Sequence, residues 1–188
     1  DFHQNKERYL FAKAKLFSQL GGSFLKGPLP RFAVLNRDDP YFEYLLRQTT
    51  VQSISYGIKN PADVEAKNIE VREDGINFLL CSPWGREEIS LNLTGYFNLY
   101  NALAAASVAL LEGVPLSTIK SALAGVQGVP GRFERVDLGQ DFLVIVDYAH
   151  TPDGLENILQ TAKGFAQGKI ITIFGCGGER DRAKRPEM

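Results

Sequence analysis

Asp147, Tyr148, His150 and Thr151 crowd into one short span of "VIVDYAHTPDGLENIL", which runs from Val144 to Leu159. The stretch begins as an apolar strand and ends as a helix. Asp147 is the first polar residue after "FLVIV". One reading makes it a cap for the next helix or an acceptor within the turn. Another makes it a carboxylate at a strand's carboxyl end that accepts hydrogen bonds from a ribose. His150 shares the turn and stands where a phosphate could be approached. A lone histidine more often has a structural task, yet the chain has only two.

Other residues invite similar questions. In "LTGYFNLYNALAA", Asn98 and Asn101 are three apart at a helix start, hence on one face. Asn98 suits an N-cap. Asn101 lies inside the first turn, where its amide could read a base edge. In "GVPGRFERV", Arg132 follows Pro130-Gly131 in a tight turn before a strand. It is either a surface charge or a fixed guanidinium for phosphate oxygens. In "FAKAKLF", Lys15 reads as a solvated charge, and Lys13, flanked by Phe11, Ala12 and Ala14, as partly buried. A buried lysine tends towards its neutral form, and a neutral amine can take up carbon dioxide as a carbamate, an oxygen ligand suited to Mg²⁺. "FGCGGERDRAKRP" sets glycines before basic residues, but it fits neither GxGxxG nor GxxxxGK[ST].

The elements that must hold these residues follow from periodicity. Tyr9, Leu10, Ala12, Leu16, Phe17 and Leu20 recur at helical spacing over 6–20, stopped by Gly21-Gly22. "RFAVLN" reads as a parallel strand, and "RDDPYFEYLLRQT" as a helix capped by Asp38 or Asp39 and led by Pro40. Residues 51–93 are short β-forming segments broken at Asn60-Pro61, Asp74-Gly75 and Trp84-Gly85. They read as antiparallel hairpins forming a structural insertion on the sheet edge, without a reactive cluster. Helices are expected over 98–112 and 115–125, each stopped by a glycine. "DFLVIVD", "PDGLENILQTAKGF" and "KIITIFG" then read as strand, helix, strand, a βαβ unit with a parallel sheet.

The bulk numbers narrow the class. With 188 residues, 44% hydrophobic and 23% charged, the chain can bury a sizeable core. A net charge of −1 gives no electrostatic reason to expect nucleic acid or an anionic membrane, and no apolar run approaches a membrane span. Cys81 and Cys176 are far apart and lack metal-ligand spacing, which suits a reduced, cytoplasmic protein. The abrupt opening and close are expected of an internal segment of a longer chain.

Together, "DFHQNKERYLFAKAKLF", "LNRDDP", "GYFNLYNALAA", "GRFERV", "VDYAHTPDGLENIL" and "FGCGGERDRAKRPEM" resemble, in order, the motifs of the Mur ligases of peptidoglycan synthesis. The resemblance implies an α/β fold: a parallel-sheet Mur ligase central domain with a small antiparallel β subregion, plus the start of a Rossmann-like C-terminal domain. The later part of the ATP-binding domain would occupy residues 1–137, with 51–93 the antiparallel subregion, and the ligase domain would begin over 138–188. The implied activity is an ATP-dependent amide ligation through an acyl phosphate. It adds the third amino acid, meso-diaminopimelate or L-lysine, to UDP-MurNAc-L-Ala-D-Glu, with Mg²⁺ as the metal.

By the same resemblance Lys13 matches the carbamylated, metal-binding lysine and Asn101 the adenine contact. Arg132 matches the ATP-contacting arginine and Asp147 the ribose-binding aspartate, while similarity to the related folylpolyglutamate synthetases implies that His150 lies near the terminal phosphate. Arg180, Lys184 and Arg185 open the domain that brings the amino acid, and His3 matches a family position without an assigned role. The family's GK[ST] loop and the histidine before "LDYH" would lie upstream, and the "DNPR" stretch downstream. Folylpolyglutamate synthetase-like ligases are the nearest alternative, but their comparable turn reads closer to "DGAHNP". A non-catalytic nucleotide-binding module is the other.

Overall fold

The computed structural model describes residues 6–22, 31–177, 182 and 184–188. Its first half is built on one sheet of five strands, ordered β1-β2-β3-β4-β5. These are β1 (Phe32–Asn36), β2 (Gln52–Gly57), β3 (Val64–Arg72), β4 (Gly75–Ser82) and β5 (Gly85–Leu91). β1 and β2 run parallel along their length, and β2 meets β3 in parallel only at Tyr56↔Val64 and Gly57↔Glu65. β3, β4 and β5 are antiparallel, joined at the expected Asp74-Gly75 and Trp84-Gly85 turns.

The helices follow from where apolar side chains recur. α3 (Tyr96–Leu111) buries Leu99, Ala102, Leu103, Ala106, Ser107 and Leu110, a stripe at helical spacing. It lies on the sheet with Val64, Ile76, Leu80 and Ile89, and α4 (Leu116–Gly125) adds Ile119. The one hydroxyl in that stripe, on Ser107, donates to the Leu103 carbonyl at 2.7 Å, so its burial leaves no polar group unpaired. A smaller cluster of Ala33, Leu35 and Phe42 covers the other face of β1, using α2 (Phe42–Gln48) and the Phe17 and Leu20 side chains by α1 (Lys6–Gln19).

Several expectations change. β2 belongs to the parallel part of the sheet, so the antiparallel subregion at the sheet edge is β3, β4 and β5 alone, and its strands supply much of the floor of the main core. In α1, Ala14 is the buried residue, while Tyr9 and Leu16 are exposed. α2 starts at Phe42 with no side-chain cap, because Asp38 is engaged elsewhere and Asp39 accepts from the Tyr41 N–H at 2.8 Å. The cap of α3 is Gly95, at φ 90°, not Asn98. A side chain on Gly95 would strain that left-handed backbone and run into the Phe97 ring.

The second half is less layered. β6 (Glu134–Val136) and β7 (Val144–Val146) form a two-stranded antiparallel sheet, followed by α5 (Pro152–Phe165) and the short α6 (Lys184–Glu187). Residues 169–175 form no strand, so the expected βαβ unit is not closed among the described residues. Ile171 is 76% and Ile173 95% exposed. A strand is stable when a neighbour takes its N–H and C=O groups, and β7 pairs with β6 instead.

Candidate functional site

The opening junction is stitched by one carboxylate. Asp147 leaves β7 and accepts the Phe133 N–H on Oδ2 and the Ala149 N–H on Oδ1, both at 2.7 Å. The first bond crosses to the turn before β6. There Gly131, at φ 70°, takes the left-handed conformation a glycine allows, and the Arg132 N–H closes the turn on the Val129 carbonyl at 2.9 Å. The Tyr148 N–H returns the link by donating to the Gly131 carbonyl at 2.7 Å. Asp147 is thus no cap for α5. That task falls to Thr151, whose hydroxyl accepts from the Gly154 N–H at 3.2 Å, with Pro152 at the first helical position.

Three exposed side chains line up on this stitched junction. The Arg132 guanidinium sits 5.7 Å from the Tyr148 ring centroid, and the Tyr148 ring lies 5.0 Å from that of His150. His150 Nδ1 is 3.0 Å from the Tyr148 carbonyl. A carbonyl only accepts, so Nδ1 carries the hydrogen and Nε2 is left for a ligand. Tyr148 is the ledge over which Arg132 is held. Each Asp147 oxygen accepts one backbone bond and keeps a lone-pair direction for a hydroxyl.

α3 joins this site through aromatic contacts. Phe97 lies 6.2 Å from Phe133, and Phe133 6.1 Å from Phe165 of α5. Phe133 is buried despite its positive φ of 48°. Asn101 stands one turn along from Phe97, on the same side of α3, and its side chain is exposed. Asn98 is not presented with it: it is 6% exposed and donates from Nδ2 to the Thr94 carbonyl at 2.9 Å. The structure therefore brings Asp147, Arg132 and His150 together, with the first turn of α3 beside them.

Lys13 stands on α1, which packs against α2, and its amine lies 5.2 Å over the Tyr9 ring. It is exposed, not partly buried, because the face of α1 turned inward is that of Ala14. His3 and Arg180 lie outside the described residues; Lys184 and Arg185 are on α6. No three His, Cys, Asp or Glu side chains gather in metal-holding geometry among the described residues.

A family model of the Mur ligase middle domain matches residues 1–109, and one of the Mur ligase glutamate ligase domain matches residues 131–188. The chain belongs to the Mur ligase family. It is 50% identical over all 188 residues to the UDP-N-acetylmuramoyl-L-alanyl-D-glutamate--2,6-diaminopimelate ligase of Bacillus licheniformis, spanning 38% of that protein's length. A solved structure of a ligase of that name shares the fold at TM-score 0.70 and 32% identity, covering 98% of this chain and 37% of the other. A crystal structure of MurF from Acinetobacter baumannii gives TM-score 0.75 at 26% identity, covering 86% of this chain and 34% of that one.

As a Mur ligase segment, the chain carries a second polar cluster that sequence reasoning did not find. Asp38 accepts five hydrogen bonds, from Ile58, Lys59 and Asn60 backbone N–H groups, the Asn60 amide and the Tyr100 hydroxyl. The one available signal was its place just after a parallel strand, and the local cap rule outweighed it. The described residues also leave a groove of about 1480 Å³ between α5 and residues 167–177, with Asp147, Tyr148 and His150 among its lining. Its walls include Ile171, Ile173 and Phe174, so it marks where the apolar segment lacks a covering layer.

Proposed function

We propose that this Mur ligase segment serves an ATP-dependent ligase that joins a diamino acid, meso-diaminopimelate or L-lysine, to UDP-MurNAc-L-Ala-D-Glu. The observation that carries the reading is the meeting of Asp147, Arg132 and His150 at one junction. The activity for which the 50% identical Bacillus licheniformis ligase is named supports the substrate class. ATP transfers a phosphoryl group to the substrate carboxylate, leaving ADP and an acyl phosphate; the amine then attacks the acyl carbon, loses a proton and expels phosphate to give the amide. Such transfer depends mostly on positioning and charge neutralisation.

This chain's residues fit that task. The free lone pairs of Asp147 suit ribose hydroxyls. The Arg132 guanidinium, held over Tyr148, offers a planar donor fork to phosphate oxygens. In this reading His150 stands as a neighbour of the terminal phosphate, and Asn101 offers its amide to the adenine edge. Lys13, as a carbamate, is the one Mg²⁺ ligand this segment contributes in the proposal; that role rests on the motif resemblance, since Lys13 is exposed.

The later part of the ATP-binding domain and the start of the C-terminal domain divide the chain in this reading. The sequence boundary at 137 lies between β6 and β7, which pair with each other, and the second family match begins at 131. Both favour a division ahead of β6. A cytoplasmic setting belongs to the same proposal; no helix among the described residues is long and apolar enough to cross a membrane.

The test is phosphate release and amide formation by the full-length protein with UDP-MurNAc-L-Ala-D-Glu and either diamino acid. Product with one of them is expected. Lys13→Ala should cut that turnover by about a hundredfold or more, the scale of losing one preorganised charge contact, with partial rescue by short carboxylic acids. Absence of product with both acceptors sinks the function, and undiminished turnover in Lys13→Ala sinks the carbamate.

A further inference from the structure

Reading a base edge requires an amide held at a fixed angle. Asn101, proposed above for adenine, has an exposed side chain and gains no such restraint from its own packing. The residue before it does. Tyr100 Oη donates to Asp38 Oδ2 at 2.8 Å, across 62 positions of sequence. Asp38 lies two residues past the end of β1, at the carboxyl edge of the parallel pair, the side where ligands bind in such sheets.

Asp38 is itself fixed in place. Its Oδ2 accepts the Ile58 and Lys59 N–H groups at 2.7 and 3.0 Å, and its Oδ1 accepts the Asn60 N–H and amide at 2.8 and 2.9 Å. Gly57 eases the approach, since a Cβ there would stand 3.3 Å from Oδ2 and make the carboxylate give by a few tenths of an ångström. Burial alone would push the Asp38 carboxyl up. The Ile58 and Lys59 N–H groups, the Tyr100 hydroxyl and the Asn60 N–H outweigh it and hold the group well below the usual carboxylate range. Burial, then the bond to Asp38, pushes the Tyr100 hydroxyl above its ordinary value, so it stays a donor.

The other side of the same turn is tied as well. The Thr94 hydroxyl donates to the Arg72 carbonyl at the end of β3, and Asn98 donates to the Thr94 carbonyl. The first turns of α3 are thereby pinned to two separate strand ends.

We propose that Asp38 and Tyr100 are a positioning pair that fixes the rotation of α3 and so sets the Asn101 amide for adenine recognition. The inference rests on the adenine reading of Asn101. Neither residue touches the nucleotide in this arrangement; both act through the helix.

The experiment is steady-state kinetics of the full-length protein, following phosphate release, for Tyr100→Phe, Asn101→Ala and the double variant. Tyr100→Phe keeps the ring and removes one hydroxyl, so the fold is retained, which circular dichroism checks. Its ATP KM should rise about three- to tenfold, the range of coupled neighbours, with kcat and the KM for the UDP-linked substrate within about twofold. Preference for ATP over GTP should fall. The double variant should bind ATP no worse than Asn101→Ala alone, because both changes remove one function. A raised KM in Asn101→Ala with an unchanged one in Tyr100→Phe overturns the positioning role and leaves the adenine reading standing. An unchanged KM in Asn101→Ala overturns the adenine reading and the inference with it.

Discussion

The sheet body and the region after β6 use similar residues to opposite effect. In the body, Leu80 and Leu103 are fully buried, because α3 lies across β1, β2 and β3 while α4 covers β5. After β6, Phe142, Ile171 and Phe174 stand exposed, although they come from runs just as apolar. An apolar run folds into a layer only where a second layer covers it. The candidate site lies at the border between these regimes. Arg132, Asp147 and His150 are held by backbone hydrogen bonds and ring contacts, with Phe133 as an aromatic wedge into the packed body.

The sharpest way to break this comparison is by truncation. Leu103→Ala should cost about 2–5 kcal/mol of unfolding free energy, read from denaturant midpoints, since it opens a cavity between α3 and the sheet. A loss below about 1 kcal/mol would show that the body is not the stable unit. Next in size is Asp147→Ala. It leaves the Phe133 and Ala149 N–H groups without their acceptor, at about 1–3 kcal/mol, and should raise the ATP KM of the full-length protein. Lost stability with an unchanged KM would make Asp147 a stitch and nothing more.

A smaller effect concerns acid. The Asp38 carboxyl is depressed in the folded chain, so its contribution is present above the ordinary carboxylate pKa and is lost as pH falls through the folded value. The stability gap between the natural chain and Asp38→Asn should therefore shrink from about pH 5 down to about pH 2. A gap independent of pH would contradict the assigned hydrogen bonds. The smallest effect is expected at Ile173→Ala on the 188-residue chain, within about 0.5 kcal/mol, because that side chain is almost wholly exposed. A cost like that of Leu103→Ala would erase the contrast between the two regions.

Local signals carried much of the fold. The Gly113 stop of α3, the Asp74-Gly75 and Trp84-Gly85 turns, and the start of α5 depend on residues within a few positions of each other. Such rules failed where a polar side chain had a distant partner. Asp38 and Asn98 both looked like helix caps, yet Asp38 serves residues 58–60 and Tyr100, and Asn98 turns inward to Thr94. The strand expected over 169–175 failed for a related reason, since β-formers make a strand only beside a neighbour.

What the sequence determined by itself is the set of chemical groups and most of the elements that carry them. Helical and strand periods, glycine stops and the Thr151-Pro152 start act over one or two turns, and the family motifs name the residues. What only the tertiary structure decided is which groups meet. Asp147 reaches Phe133 because β6 and β7 pair, Arg132 rests on Tyr148 because that pairing folds the turn back, and Tyr100 reaches Asp38 because α3 crosses the sheet near the end of β1. Hydrogen bonds and ring contacts act over a few ångströms, and residues this far apart in sequence come within that range only after the chain has closed on itself.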